Sequence, residues 1–379
     1  MRRLLPLLCG LLLAACGQRA ARPIGDFTLP VYTPRYASGF EITGAAGSRS
    51  TLVTVHNPWY GDEVTDQYLF IARDGEPAPA GFEGQVLRDE ARRVVCMSGS
   101  YIAMLDALGA ADRVVGVSGA QYLINETLRR RIARGEAADV GFDSNVDFER
   151  LMALRPDLVM LFGIGGADTA LMGKLRELGI PYLYMGEHCE ESPLGKSEWV
   201  VVAAEIAGLR TEGSRLFAAI PERYERLRAL AQQTAARPRV MLNTPYRDTW
   251  FMPARNSYMV RLLEDAGARY VFEENTATQT LPIDIEQAYY LTSKSDFWLN
   301  VSGCNTLDEV RRQNPRLADT PPVREGRVYD NNRRRNAAGG SDFWESGVLR
   351  PDRVLADLVH IFHPELSETD ELYYYRQLE

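Results

Sequence analysis

Gly186-Glu-His-Cys-Glu-Glu191 gathers residue types that bind metal ions or move protons. His188 and Cys189 are adjacent, however, so their side chains diverge and could share one ion only with help from distant residues. The chain has four histidines, His56, His188, His360 and His363. The last two lie one turn apart near the end of a helix, where they would cap its dipole. A receptor for a bare metal would draw several histidines or carboxylates from separate segments, and that pattern is missing. Glu187 and His188 are therefore expected as contacts in a ligand-binding loop, with no intrinsic cofactor and no metal site. Ser98-Gly-Ser100 places hydroxyls at the end of an apolar strand, but no histidine is identifiable as a base and no Gly-x-Ser-x-Gly elbow exists. A secreted hydrolase is thus the enzyme alternative, and no catalytic residue is expected. Gly163-Ile-Gly-Gly166 lacks the Lys-Ser/Thr of a phosphate loop and reads as a tight turn.

A second kind of chemistry is offered by aromatics beside arginines. Tyr246, Arg247, Trp250, Phe251 and Arg255 combine flat apolar surface with fixed positive charge, which suits a bulky, partly anionic chelate. Trp250 could equally pack in the core or at a lobe rim, and the two arginines could be simply solvated. Asn331-Asn-Arg-Arg-Arg-Asn336 with Gly339-Gly-Ser-Asp-Phe-Trp344 forms another such cluster, from which Arg333 and Trp344 are candidates. Trp59 and Tyr60 follow Asn57-Pro58 and could join them, or could form a turn packed against the first lobe. Ser100 and Tyr101 complete the candidate ligand set.

These side chains need rigid elements behind them. Thr51–His56 and Gln67–Ala72 read as strands of an antiparallel segment, with Asp74-Gly75 as a turn. From residue 93 the grammar changes to short unalternating apolar strands followed by helices, as in parallel sheets covered on both faces. Examples are Arg93–Met97, Val114–Val117, Asp157–Phe162 and Pro181–Met185, and then Arg239–Asn243 in a second half. Ser100–Gly109 parallels Asn256–Gly267, each with a Ser-Tyr pair and a closing glycine, and Phe148–Gly163 parallels Ile285–Gly303. Two lobes of similar build are expected. Trp199, Val202, Ala203, Ile206 and Leu209 form one apolar stripe, and Leu216, Ile220, Tyr224, Leu227 and Leu230 another. Gly208 and Pro221 should break the span into separate helices. The fold class is α/β, two Rossmann-like lobes joined by a helical connector, with an additional N-terminal antiparallel β segment. The expected divisions are a signal peptide (1–15), a lipidated N-terminus and tether (16–37), an N-terminal lobe (38–193), the connector (194–236), and a C-terminal lobe (237–379) whose final helix packs back. In such sheets ligands bind beyond the carboxyl ends of the strands.

The address lies at the start. Met1-Arg2-Arg3 precedes an apolar run from Leu4 to Ala15, too short to span a bilayer but suited to a secretory signal. Leu13-Ala14-Ala15-Cys16 resembles the lipobox of bacterial lipoproteins, which implies cleavage before Cys16 and acylation of its thiol. Gly17 rather than Asp at the next position is compatible with an outer-membrane destination in the enterobacterial sorting scheme. The formal charge of −8 points away from nucleic acid. Cys96, Cys189 and Cys304 are too few and too scattered for a disulfide framework, and buried thiols are expected.

Taken in order, Arg93–Gly109, Ala110–Gly116, Asp147–Asp157, Leu175–Ile180 and Ser257–Gly267 resemble the periplasmic binding proteins of ABC importers for iron-siderophore complexes, haem and vitamin B12. The resemblance covers most of residues 90–363. It implies a monomer that captures a small metal chelate between its lobes, a ferric siderophore first, with cobalamin or haem next. It implies delivery to an ABC permease of the iron-chelate/vitamin B12 type, on the periplasmic side of an envelope to which acylated Cys16 holds the chain. A surface assembly or adhesion lipoprotein is the other alternative. Family members dock the permease through one glutamate on each lobe. The corresponding places here, around Thr169 and Asn256, are not acidic, and Asp168, Glu264 or Glu187 would have to substitute.

Overall fold

The strand-like stretch ahead of residue 93 folds as a sheet of its own. In this computed structural model, which describes residues 21–59, 65–163, 170–246, 249–277, 279–367 and 371–379, five strands lie side by side in chain order. They are β1 (Leu29–Tyr32), β2 (Phe40–Gly44), β3 (Thr51–His56), β4 (Asp66–Ala72) and β5 (Gln85–Arg88). The pairings are antiparallel except β4 with β5, which is parallel. Alternation sends Phe40, Ile42, Val53, Val55, Leu69 and Ile71 to one face, against the rest of the protein. Leu52 and Phe70 face the other way and are covered by Phe27 and Phe82. β1 corrects the expected tether, because residues 29–32 are paired in the sheet.

β6 (Val94–Cys96), β7 (Val114–Val117), β8 (Ala138–Asp139), β9 (Leu158–Leu161) and β10 (Tyr182–Tyr184) make the first lobe's wholly parallel sheet, in the order β10-β9-β6-β7-β8. The second lobe is built from β11 (Arg239–Leu242), β12 (Pro245–Tyr246), β13 (Thr249–Met252), β14 (Arg269–Tyr270), β15 (Leu281–Ile283), β16 (Phe297–Leu299), β17 (Val328–Asp330) and β18 (Arg376–Gln377). Its main sheet runs β14-β11-β16-β17-β18, and β12, β13 and β15 form a small antiparallel sheet beside it. Aligning β6 with β11, β7 with β14, β9 with β16 and β10 with β17 superposes the two strand orders. The repeat seen in sequence is therefore a repeat of topology. Asp157 Oδ2 accepts from the N–H groups of Arg92 and Arg93 at 2.8 Å, and Asp296 Oδ2 accepts from the N–H of Arg239 at 2.8 Å. Each aspartate thus pins the start of its lobe's first strand. The helices Gly99–Ala107 and Tyr258–Asp265 are each followed by a glycine with positive φ, Gly109 at 72° and Gly267 at 79°. Any L side chain would be strained there.

Three helices connect the lobes, Pro193–Glu198, Val200–Ile206 and Arg210–Ala231. Gly208, at φ 66°, breaks the span as expected. Pro221 does not, and instead lies buried within the 22-residue third helix. The amphipathic stripe expected around Trp199 is also corrected, because every residue from Val200 to Ile206 is buried. The N-terminal sheet covers what would otherwise be the solvent face, and each fully buried Val or Ile there contributes roughly 1.5–3 kcal/mol. Charge fixes the same junction. Glu198 accepts from the N–H groups of Arg35, Tyr36 and Ala37 and from the Tyr32 hydroxyl, all within 2.9 Å. Glu190 accepts from the Ser38 and Gly39 N–H groups and from the Trp199 indole. Glu205 holds Arg73 at 2.8 Å and the Thr51 hydroxyl at 2.6 Å. Residues 32–39 are thus bound to the body, a further correction to the tether.

Helix Pro351–Phe362 packs along Arg210–Ala231. The tail beyond it adds β18 to the second sheet, antiparallel to β17, and buries Tyr374, Tyr375 and Leu378. Cys96, Cys189 and Cys304 are free thiols, with Cys96 and Cys304 buried.

Candidate ligand-binding cleft

Loops that follow the strands of the two lobes approach one another, as where Glu345 of the second lobe accepts from Ile124 and Asn125 of the first. On the first lobe the loop after β6 starts a helix at Ser98, whose side chain caps the N–H of Ser100. The Ser100 hydroxyl donates to Glu187 Oε1 at 2.9 Å, from the loop after β10. Glu187 Oε2 is buried with no hydrogen-bond partner. Burial drives the Glu187 carboxyl up to about 7, against the pull of Lys196 and the hydrogen bond from Ser100. Lys196, buried on the first connector helix, stands 4.5 Å from the ring centroid of Tyr258 at the start of a second-lobe helix. Desolvation lowers its ammonium from the usual range, with Glu187 opposing the shift. Residues of the first lobe, the connector and the second lobe therefore come together in one buried polar cluster.

His188 lies against Phe162, ring centroids 4.8 Å apart. Burial, seconded by Lys196, lowers its pKa to about 4, so the imidazole is neutral at physiological pH. Burial pushes the Cys189 thiol up to about 12. Among the described residues no group of three or more His, Cys, Asp or Glu could hold a metal ion.

Several sequence candidates are buried or already paired within the protein. Trp250 is 1% exposed, stacks on Trp298 at 5.6 Å and donates its indole N–H to the Leu242 carbonyl. It is a core residue, as is Tyr101, whose hydroxyl donates to the Leu161 carbonyl. Trp59 packs edge-on against Tyr184 at 5.6 Å. Arg255 pairs with Glu264 at 2.6 Å, and Arg333 pairs with Glu371 at 3.3 Å. Asn256 donates its side-chain amide to Glu191, which ties the second lobe to the end of the first. Cys16, Tyr60, Asp168, Thr169 and Arg247 lie outside the described residues.

Other residues take the exposed places. Because Trp250 and Met252 point inward along β13, Thr249 and Phe251 point out, and Tyr246, paired with Thr249, shares their face. Tyr246 is 66% exposed and Trp344 55%. On the first lobe Tyr122 and Phe142, in the loops after β7 and β8, are also exposed, with ring centroids 6.2 Å apart. Neither stood out in sequence, since a lone aromatic in a loop carries no periodic signal. Two concavities of about 880 Å³ and 800 Å³ flank the N-terminal sheet and touch none of these residues.

Paired lobes, facing strand ends and a helical joint define the architecture, and residues 94–333 match the periplasmic binding protein family. The chain belongs to that family. As a periplasmic binding protein it is exported and envelope-localised, and membership implies an ABC transporter with a permease partner and a small-molecule ligand. It is similar to an uncharacterized lipoprotein of Methanocaldococcus jannaschii, 25% identical over 332 residues that cover 82% of this chain and 77% of the relative. Among solved structures it is similar to a periplasmic haem-binding protein from Pseudomonas aeruginosa, with TM-score 0.59 and 19% identity over 76% of this chain and 98% of that one. The periplasmic haem-binding protein of Roseiflexus sp. RS-1 matches with TM-score 0.58 and 21% identity over 72% and 98%. The vitamin B12-binding protein of Vibrio cholerae matches with TM-score 0.53 and 14% identity over 72% and 96%. At these identities the likeness is one of fold.

Proposed function

We propose that this periplasmic binding protein, acting as a monomer, captures a metal-chelate nutrient between its lobes and passes it to an inner-membrane permease while acyl chains on Cys16 hold it to the bilayer. The observation that supports the ligand class is exposed aromatic surface on each lobe, Tyr122 and Phe142 on the first and Tyr246, Phe251 and Trp344 on the second. Exposed rings of this size are costly in water and well used against a large, flat, partly apolar guest. The anionic ferric siderophore favoured by the arginines loses ground, because Arg255 and Arg333 each have a carboxylate partner. A tetrapyrrole chelate, haem or a corrinoid, fits the rings better, and haem is what two of the structural neighbours are described as binding. Ser100, Glu187 and His188 supply the polar floor beneath the guest. Permease docking would fall to Asp168 and to Glu264, the latter after giving up its pair with Arg255.

The test is native mass spectrometry and titration of the purified protein against haem, cobalamin, and ferric citrate, hydroxamate and catechol complexes. Saturable, reversible binding of a tetrapyrrole in preference to the siderophores is expected. If no chelate binds more tightly than about 10 μM, already weak for a scavenger, the reading fails.

A further inference from the structure

We propose that residues 331–346 form a strap from the second lobe that latches onto the first lobe, and that the cleft opens only when this latch lets go. The pin is Glu345. Its carboxylate accepts from the N–H of Ile124 at 2.6 Å and of Asn125 at 2.9 Å, both in the first lobe. Asn336 donates its side-chain amide to the Gln121 and Leu123 carbonyls at 2.9 and 3.1 Å. Four polar contacts thus cross the seam between one strap and one loop.

Both partners are preformed. Within the strap, Asn336 Oδ1 accepts from the Gly340 N–H, Arg334 pairs with Asp342 at 2.6 Å, and Arg335 bridges Ser341. The receiving loop is fastened to helix Gly99–Ala107, because Asn125 donates its amide to Asp106 at 2.8 Å. Contact is close enough to demand glycine on each side. A Cβ on Gly340 would stand 1.6 Å from the Tyr122 carbonyl oxygen, and one on Gly99 would stand 2.7 Å from Glu345 Cγ. Helix Ser346–Leu349 then continues onto Gly99–Ala107 and onto Pro193–Glu198. Besides the connector and the Asn256–Glu191 bond, the lobes therefore share a joint made of these hydrogen bonds and of the packing of helix Ser346–Leu349.

The inference rests on the cleft reading, but its test needs no ligand. Spin labels at Met152→Cys and Tyr289→Cys, exposed positions on a helix of each lobe, report the lobe separation of the full chain in a Cys189→Ser background. Gly340→Ala, Glu345→Ala and Asn336→Ala are each compared with the parent. Gly340→Ala is the sharpest variant, since the nearest atoms its methyl meets all belong to Tyr122 of the other lobe. A longer and broader distance distribution is expected for Gly340→Ala and Glu345→Ala, with a smaller change for Asn336→Ala. Parent-like distances in a folded Gly340→Ala protein overturn the latch. If that variant and Glu345→Ala do not fold, the mild Asn336→Ala decides by the same criterion. Failure of every chelate to bind would sink the ligand assignment and leave this measurement standing.

Discussion

Ser100 donates its hydroxyl to one oxygen of Glu187 at 2.9 Å, and the other oxygen of that carboxylate is buried with nothing to accept from. A carboxylate left half-satisfied in a dry site favours its protonated form, and burial places the Glu187 pKa near 7, up from 4.5. The sign follows. A carboxyl whose pKa is raised on folding adds stability that is complete below about 4.5 and is lost as pH rises through about 7. Glu187→Gln keeps the shape and removes the titration. Relative to this variant, the parent should lose up to roughly 3 kcal/mol between about pH 5 and pH 8, measured by urea unfolding. Equal pH slopes for the two proteins would refute the assignment.

Glu198 gathers the Arg35, Tyr36 and Ala37 N–H groups and the Tyr32 hydroxyl. Glu198→Ala strands these donors at a cost of roughly 3 kcal/mol. Hydrogen exchange of amides 35–37 should accelerate well before the lobes unfold. Unchanged protection of those amides would show that β1 and its neighbours hold the segment without the carboxylate.

Of the five tryptophans, Trp344 is 55% exposed, while Trp59, Trp199, Trp250 and Trp298 are each at or below 6%. Trp344→Phe should therefore remove most of the acrylamide-quenchable emission, and with it most of the ligand-induced quenching. Ligand quenching that survives in full would move the guest away from this ring.

Glu205 is fully buried between Arg73 and Arg210. Burial alone would raise its pKa, but the hydrogen bond from Arg210 and the charge of Arg73 hold it below the usual carboxylate range. Glu205→Ala leaves Arg73 buried without its counter-charge and should cost roughly 3–5 kcal/mol. Thermal or urea melts read this directly, and a loss under about 1 kcal/mol would mean that water reaches Arg73.

Much of the scaffold was legible because its signals are local. Short apolar runs, the Ser-Tyr helix starts and the glycines at 109 and 267 depend only on neighbours within a turn or two, so both lobes and their shared build could be read from the chain. The helix containing Pro221 was misread for the same reason. Proline's local penalty is visible in sequence, and the packing of Phe217, Ile220 and Tyr224 that outweighs it is not. The candidate site was less legible. Ser100, Glu187 and His188 stood out by type, whereas Tyr122 and Phe142 carried no pattern at all.

The sequence by itself determined the α/β class, the duplicated lobe, the helical joint and the residue types at the strand ends, since these follow from periodicity and turn chemistry. Tertiary structure alone decided that Trp250 turns inward while Tyr246 stays out, that a sheet covers the connector, that the tail supplies β18, and that Glu345 crosses the seam. Each of these joins residues far apart in the chain. Such contacts are selected by the burial and hydrogen bonding of the whole fold, and no short window of sequence contains both partners.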